Sequence, residues 1–201
     1  MCGRYYVDDK TAREIEKLVQ QMDERKRQES LQAAGRITAG DIYPGKDAPV
    51  LSKEDGSICC RWQHWGFPGF EREKRIFNAR CESALEKPLF QDSILHRRIV
   101  IPATWFYEWN QRKEKNTFCR SDMPVLFMAG FCRRYEDGEH FVILTTAANA
   151  SMEPVHDRMP LILERQEIAE WMFSDAKTES FLYKTPCLLE RRTEYEQLSL
   201  F

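Results

Sequence analysis

MPVLFMAGF (residues 123–131) and HFVILTT (140–146) decide how this chain folds. Each is a brief run of aliphatic and aromatic residues bounded by polar or turn residues, the pattern of a buried strand. SICCRWQHW (57–65), RRIVIPATW (97–105) and TFCRS (117–121) repeat it. Helical spacing is found elsewhere. Ile15, Leu18, Val19 and Met22 predict one amphipathic helix over residues 11–30, with Arg25-Lys26-Arg27 as a solvated face. KPLFQDSILH (87–96), RQEIAEWMF (165–173) and TESFLYK (178–184) predict shorter helices, and GRITAGDIYPGKDAPV (35–50) reads as loop and turn ending in a short strand. The strands do not alternate regularly with long helices, which argues against a doubly wound parallel sheet. The expectation is a single α+β domain over residues 1–201, built on a largely antiparallel, barrel-like sheet with peripheral helices.

The composition is globular, with 42% apolar, 12% aromatic and 31% charged residues, so wholesale disorder is excluded. The net charge of −2 lacks the basic excess of a general nucleic-acid binder, so any nucleic-acid site must be a local basic groove. Apolar runs such as PVLFMAGFC (124–132) are about half of the ~20 residues a spanning helix needs, and no charged-then-apolar leader opens the chain. Membrane association is therefore not expected. Seven cysteines without a CxxC pair read as free thiols of a reducing compartment, and no metal site or cofactor is expected.

Four polar clusters carry the chemistry. Cys2-Gly3-Arg4 places a thiol next to an α-amine once Met1 is removed, a 1,2-aminothiol that closes a thiazolidine with an aldehyde. In NARCE (78–82), Asn78, Arg80 and Glu82 alternate and share one face of an extended strand. In IPATWFYEWN (101–110), Glu108 stands between Tyr107 and Trp109, where flanking aromatics raise a carboxylate's pKa toward neutrality. In PVHDRMPLIL (154–163), His156 and Arg158 precede an apolar run, and an imidazole shuttles protons near neutral pH. Each has a plainer reading: a small buried thiol, a surface strand edge, a rim carboxylate, a hydrogen-bonded structural histidine. Taken together, they supply nucleophiles, an acid/base pair and anion-holding guanidinia.

MCGR (1–4), YPG (43–45), WGF (65–67), NARCE (78–82), FYEW (106–109), AGF (129–131), LTTAAN (144–149) and HDRMP (156–160) occur in the order found in the SOS response-associated peptidase (SRAP) family, which the chain resembles from residue 1 to about residue 172. That resemblance implies a bifurcated, barrel-like antiparallel sheet. It implies binding of single-stranded DNA and a covalent thiazolidine crosslink between Cys2 and the ring-opened aldehyde of an abasic site, shielding the lesion during the DNA damage response. In this reading Glu108 is the acid/base, His156 opens the sugar and assists reversal, and Asn78 bonds the reacting amine or sugar oxygen. Arg4, Arg80 and Arg158 clamp the backbone, while Trp65, Phe67 and the Pro44 loop offer stacking surfaces. The partner is abasic single-stranded DNA, the oligomeric default is a monomer, and the location is cytoplasmic, on the nucleoid when DNA is damaged. A Cys2-dependent thiol (auto)peptidase is the alternative, and a non-enzymatic reader of single-stranded DNA a third. Two departures stand out. Thr104-Trp105 replaces a small residue before FYEW, and Trp105 is expected to reshape the groove. The tail LLERRTEYEQLSLF (188–201) lacks the His-Pro-containing stretch of longer members, and no clamp-binding peptide is assigned to it. Cys81 is expected on the strand face opposite Asn78 and Arg80.

Overall fold

The two runs quoted above form one hairpin, Leu126–Tyr135 against Gly138–Ala147, around which the other strands are arranged. The structure is a computed structural model that describes residues 2–19, 24–69 and 74–193. In chain order, β1 (Tyr5–Val7) leads to helices α1 (Asp9–Val19) and α2 (Glu24–Ala34). Strands β2 (Gly40–Ile42), β3 (Asp47–Glu54) and β4 (Ser57–Trp65) follow, then the short β5 (Phe67–Pro68), β6 (Arg75–Ile76) and β7 (Asn78–Arg80). Helices α3 (Cys81–Ala84) and α4 (Pro88–His96) precede β8 (Arg98–Ala103), β9 (Trp105–Trp109), β10 (Lys115–Cys119), β11 (Leu126–Tyr135) and β12 (Gly138–Ala147). The chain ends through β13 (Arg158–Pro160), β14 (Ile162–Leu163), α5 (Ile168–Phe173), α6 (Thr178–Leu182) and β15 (Glu190–Thr193).

Strands β12, β4, β3, β8 and β11 are neighbours in that order, and β11 pairs back onto β12, so the sheet closes into a barrel. All the barrel's pairs are antiparallel except β12 with β4; β7 also joins β12 in parallel. A second sheet, ordered β15-β10-β9-β1-β2, lies beside it. The α+β, barrel-like expectation holds. Closure demands a close approach at Gly130, where an added Cβ would stand 2.4 Å from the Val142 carbonyl oxygen and 2.6 Å from Ile101 Cδ1. Gly66 has φ +116°, a left-handed conformation that L side chains rarely adopt. These two requirements account for the glycines of AGF and WGF.

The helix expected over residues 11–30 is instead two helices, α1 and α2; Met22 and residues 20–23 lie outside the described residues, as do the side chains of Arg25 and Lys26. Asp8 caps α1, its Oδ1 accepting from the backbone N–H of Lys10 at 2.8 Å. The same oxygen accepts from the Thr104 hydroxyl at 2.8 Å, and Thr104 Oγ1 lies 3.1 Å from Thr11 Oγ1. A threonine at position 104 therefore fastens the first turn of α1 to the start of β9.

Candidate functional site

The site begins where the segment ahead of β1 meets β7. Asn78 Nδ2–H donates to the carbonyl oxygen of Cys2 at 2.9 Å. Asn78 Oδ1 is buried and accepts no hydrogen bond from the described residues. Cys2 is buried, and its thiol reaches the Arg4 carbonyl at 3.8 Å. Burial first, and the neighbouring Glu108 carboxylate second, push the Cys2 thiol up to about 12. The Glu108 carboxylate thus acts on the Cys2 thiol, although 106 positions of sequence separate them. Sheet order makes this possible: β1 is hydrogen-bonded to β9, with Tyr5 opposite Phe106.

Glu108 is 6% exposed, a buried carboxylate rather than one on a rim. The aromatic flanking expected from the sequence does not survive folding. Side chains alternate along β9, so Tyr107 and Trp109 share the opposite face, with ring centroids 6.4 Å apart. Tyr107 serves Arg4 instead: the guanidinium lies 4.8 Å from the Tyr107 ring and 5.0 Å from the Tyr43 ring, and Nη2 pairs with Asp41. Tyr43 and Asp41 carry no signal in the sequence reading beyond YPG itself. The turn at Pro44, where the Gly45 N–H donates to the Trp65 carbonyl at 2.7 Å, puts Tyr43 in place.

Two expected stacking residues are corrected. Trp65 and Phe67 are both 0% exposed, so neither presents a face to a base. Trp65 packs on Tyr5 at 5.0 Å, and its Nε1–H donates to the Phe77 carbonyl at 3.0 Å, holding the backbone just before Asn78. Phe67 is a core ring, 6.0 Å from Phe131 and 5.6 Å from Tyr135. Trp105 lies flat on Tyr6, centroids 4.1 Å apart and planes within 3°.

NARCE is only partly a strand. β7 ends at Arg80, and Cys81 opens α3, where it is buried; Glu82 therefore does not continue the Asn78–Arg80 face, and Cys81 is not a strand residue. Glu82 instead accepts a two-pronged hydrogen bond from Arg158 (Nη1 2.6 Å, Nη2 2.8 Å), and Nη2 also donates to the Thr145 carbonyl at 2.5 Å. The guanidinium of Arg158 is thus engaged within the protein rather than open as a clamp, and it holds the Glu82 carboxyl below the usual range. Arg80 is exposed and forms no salt bridge among the described residues. His156 Nδ1 lies 2.9 Å from the Arg158 backbone nitrogen and 2.8 Å from Asp157 Oδ1, so the ring is held by its own loop. It lines a cavity of about 390 Å³ whose wall includes Trp109, the residue after Glu108.

A groove of about 880 Å³ starts at Asn78. Ile76, Leu89 and Phe90 give it an apolar wall, and Arg80 and Lys87 supply cations. Lys87 and the apolar wall were missed in the sequence, where KPLF reads only as a helix start.

The family profile described as "SOS response associated peptidase (SRAP)" matches residues 1–199. Among curated proteins, the chain is 29% identical over 180 residues to "Abasic site processing protein YedK" of Escherichia coli, covering 86% of this chain and 79% of that protein. It is 34% identical over 122 residues to "Abasic site processing protein YoqW" of Bacillus subtilis, spanning about half of each (54%). A crystal structure of a protein from Bacteroides thetaiotaomicron superimposes with a TM-score of 0.74 at 22% identity, covering 96% of this chain and 91% of that one. A phage-related protein from Bordetella bronchiseptica gives 0.74 at 20% identity, with 96% and 93% covered. These structural likenesses speak for the fold.

Proposed function

From a chain that belongs to the SOS response-associated peptidase family, we propose a protein that binds single-stranded DNA at abasic sites and bonds to them covalently through Cys2. One observation carries the reading: Asn78 grips the carbonyl of Cys2 at 2.9 Å beside a buried Glu108, at the head of a groove with basic residues. Removal of Met1 frees the Cys2 α-amine, and the vacant Asn78 Oδ1 is the natural acceptor for its N–H. The amine attacks the aldehyde carbon of the ring-opened sugar, and the resulting carbinolamine loses water to give an iminium. Glu108 donates the proton that leaves with that water. The thiol sulfur then adds to the iminium carbon while its proton passes to Glu108, closing the five-membered ring. Carrying both nucleophiles on one residue makes the second step intramolecular and strongly favours it.

A thiol pushed up to about 12 is protonated at neutral pH. That supports the amine as the first nucleophile and weighs against a resting thiolate of a peptidase. His156 opens the sugar and assists reversal. Arg80 and Lys87 bind phosphates along the groove, whose apolar wall takes a base face. Arg4 and Arg158, each held by a carboxylate, position the segments that carry Cys2 and His156 into β1 and β13.

The test incubates the purified chain with a single-stranded oligonucleotide bearing one abasic site and reads a denaturing gel without reductant. Wild type is expected to give a heat-stable band, and Cys2→Ser and Cys2→Ala, which keep the amine but lack the thiol, at most a labile one. A stable band with Cys2→Ala removes the proposal.

A further inference from the structure

The barrel has a second opening, at the Glu139 end of β12. All five barrel strands contribute residues to a cavity of about 250 Å³ there. It shares no lining residue with the groove at Asn78. Asn78 is level with Ile143, four residues along β12 from Glu139, so roughly 13 Å separate the two places. The chemistry described above makes no use of this mouth.

Its floor holds an unmatched acceptor. Gln63 is 2% exposed, and its Nε2–H donates to Glu139 Oε2 at 2.9 Å. Its Oε1 is buried and accepts from no described residue. Buried carbonyl oxygens are nearly always hydrogen-bonded, and one left without a donor destabilises the fold. Ile99 and Cys132, both buried, line the cavity with it. A floor needed only for packing would be apolar, like Ile99. An amide here calls for an N–H or O–H from a ligand.

The walls carry guanidinia. Arg98 is fully engaged within the protein, by Asp175 and the carbonyls of Ile94, Leu95 and Trp171. Arg61 and Arg97 are engaged on one side only. Arg61 gives Nη2 to Glu54 and Glu29. Arg97 gives Nη2 to Asp92 and Ser93, and Nε to the Cys132 carbonyl. Among the described residues, none accepts from Nη1 of either. Arg61 is on β4 and Arg97 just ahead of β8, with β3 between them, so their backbones stand about 10 Å apart. Two guanidinia reaching one cavity from separate strands suit a tetrahedral phosphate, whose oxygens point in several directions. A planar carboxylate presents both its oxygens to a single fork.

Size selects the rest of the ligand. The cavity is just under the ~300–1,000 Å³ of sites for drug-sized molecules, which leaves room for one sugar ring and one charged group. We propose that this mouth binds a small sugar monophosphate, its phosphate on the Nη1 edges of Arg61 and Arg97 and a sugar hydroxyl donating to Gln63 Oε1. The site stands whether or not Cys2 reacts as proposed above.

The experiment titrates methyl 2-deoxyribofuranoside 5-phosphate, whose locked ring offers Cys2 no aldehyde, into the full chain by calorimetry. Inorganic phosphate and the unphosphorylated glycoside are separate probes, with thermal melting in parallel. The sugar phosphate is expected to bind at about 0.1–1 mM, and each half at least about tenfold more weakly. Gln63→Leu and Arg61→Gln should each weaken binding about tenfold or more. Gln63→Leu should melt no lower than wild type in the absence of ligand, and both variants should crosslink abasic oligonucleotide normally. Arg61 is 34% exposed, so Arg61→Gln tests the phosphate contact even if Gln63→Leu does not fold. No binding by wild type, equal binding of inorganic phosphate, or unchanged affinity in either variant overturns the proposal. Cys2→Ala should bind the sugar phosphate like wild type. A chain that binds it but never crosslinks loses only the Cys2 chemistry, and one that crosslinks without binding it loses only this site.

Discussion

Asn78 donates its side-chain amide to the carbonyl oxygen of Cys2 at 2.9 Å, although 76 positions separate them in the chain. The contact ties the segment leading into β1 to β7, the short strand that pairs in parallel with β12. Asn78→Ala removes that tether together with the Oδ1 proposed to accept from the amine. A hydrogen bond of this kind is worth about 0.5–1.5 kcal/mol. The crosslinking rate is expected to fall about tenfold or more while melting changes little, as read from gel time courses and calorimetry.

Trp65 acts on the same strand from behind, through its 3.0 Å hydrogen bond to the Phe77 carbonyl. Trp65→Phe keeps most of the ring and loses the donor. Stability is expected to drop by about 1–3 kcal/mol in urea titrations, with slower crosslinking but unchanged affinity for intact single-stranded DNA. A base-stacking tryptophan would give the reverse, weaker DNA binding with stability preserved.

Arg80 and Arg158 part company in the same way. Arg80→Ala is expected to weaken DNA binding and reduce the salt slope by about 1. Arg158→Ala strips Glu82 and the Thr145 carbonyl of their partner and so shows up chiefly as lost stability. Binding measured across a salt series, beside thermal melts, separates the two.

Gly130→Ala sets a methyl 2.4 Å from the Val142 carbonyl oxygen within the barrel's closing hairpin. The backbone there must shift, and overpacking of this sort costs about 1–3 kcal/mol or more. Chemical denaturation reads that cost directly. A variant as stable as wild type would mean that the barrel closes differently.

Buried thiols give the fold an alkaline limit. Cys2, Cys60, Cys81 and Cys132 are each pushed from an ordinary value near 9 up to about 12, chiefly by burial. The folded state therefore holds these protons where the unfolded chain has released them. Their contribution is intact below pH 9 and is lost as pH rises from about 9 toward 12. Melting temperature is expected to fall over that window, and Cys132→Ala should flatten the decline.

Much of this was legible in the sequence because strand signals are local. MPVLFMAGF and HFVILTT needed no partner to be read as buried strands, and their pairing closes the barrel. The site was harder, because its geometry comes from register. Glu108 and its aromatic neighbours are adjacent in sequence yet point to opposite faces of β9. NARCE looks like one alternating strand, yet it turns into a helix at Cys81. Trp65 and Phe67 sit beside the motifs of the site, and nothing in their spacing says that both rings are wholly buried. Asp41 and Tyr43, which hold Arg4, become visible only once β2 pairs with β1. Lys87 joins the groove because α3 follows β7 directly and brings the start of α4 to the same cavity.

The most direct test of the central claim is the intact mass of the covalent product formed with an abasic oligonucleotide, before and after borohydride. A closed thiazolidine predicts the mass of the chain without Met1 plus that of the oligonucleotide, less one water, unchanged by reduction and mapped by peptide sequencing to Cys2. A product that retains Met1, gains hydrogen on reduction, or maps to a lysine would contradict the account.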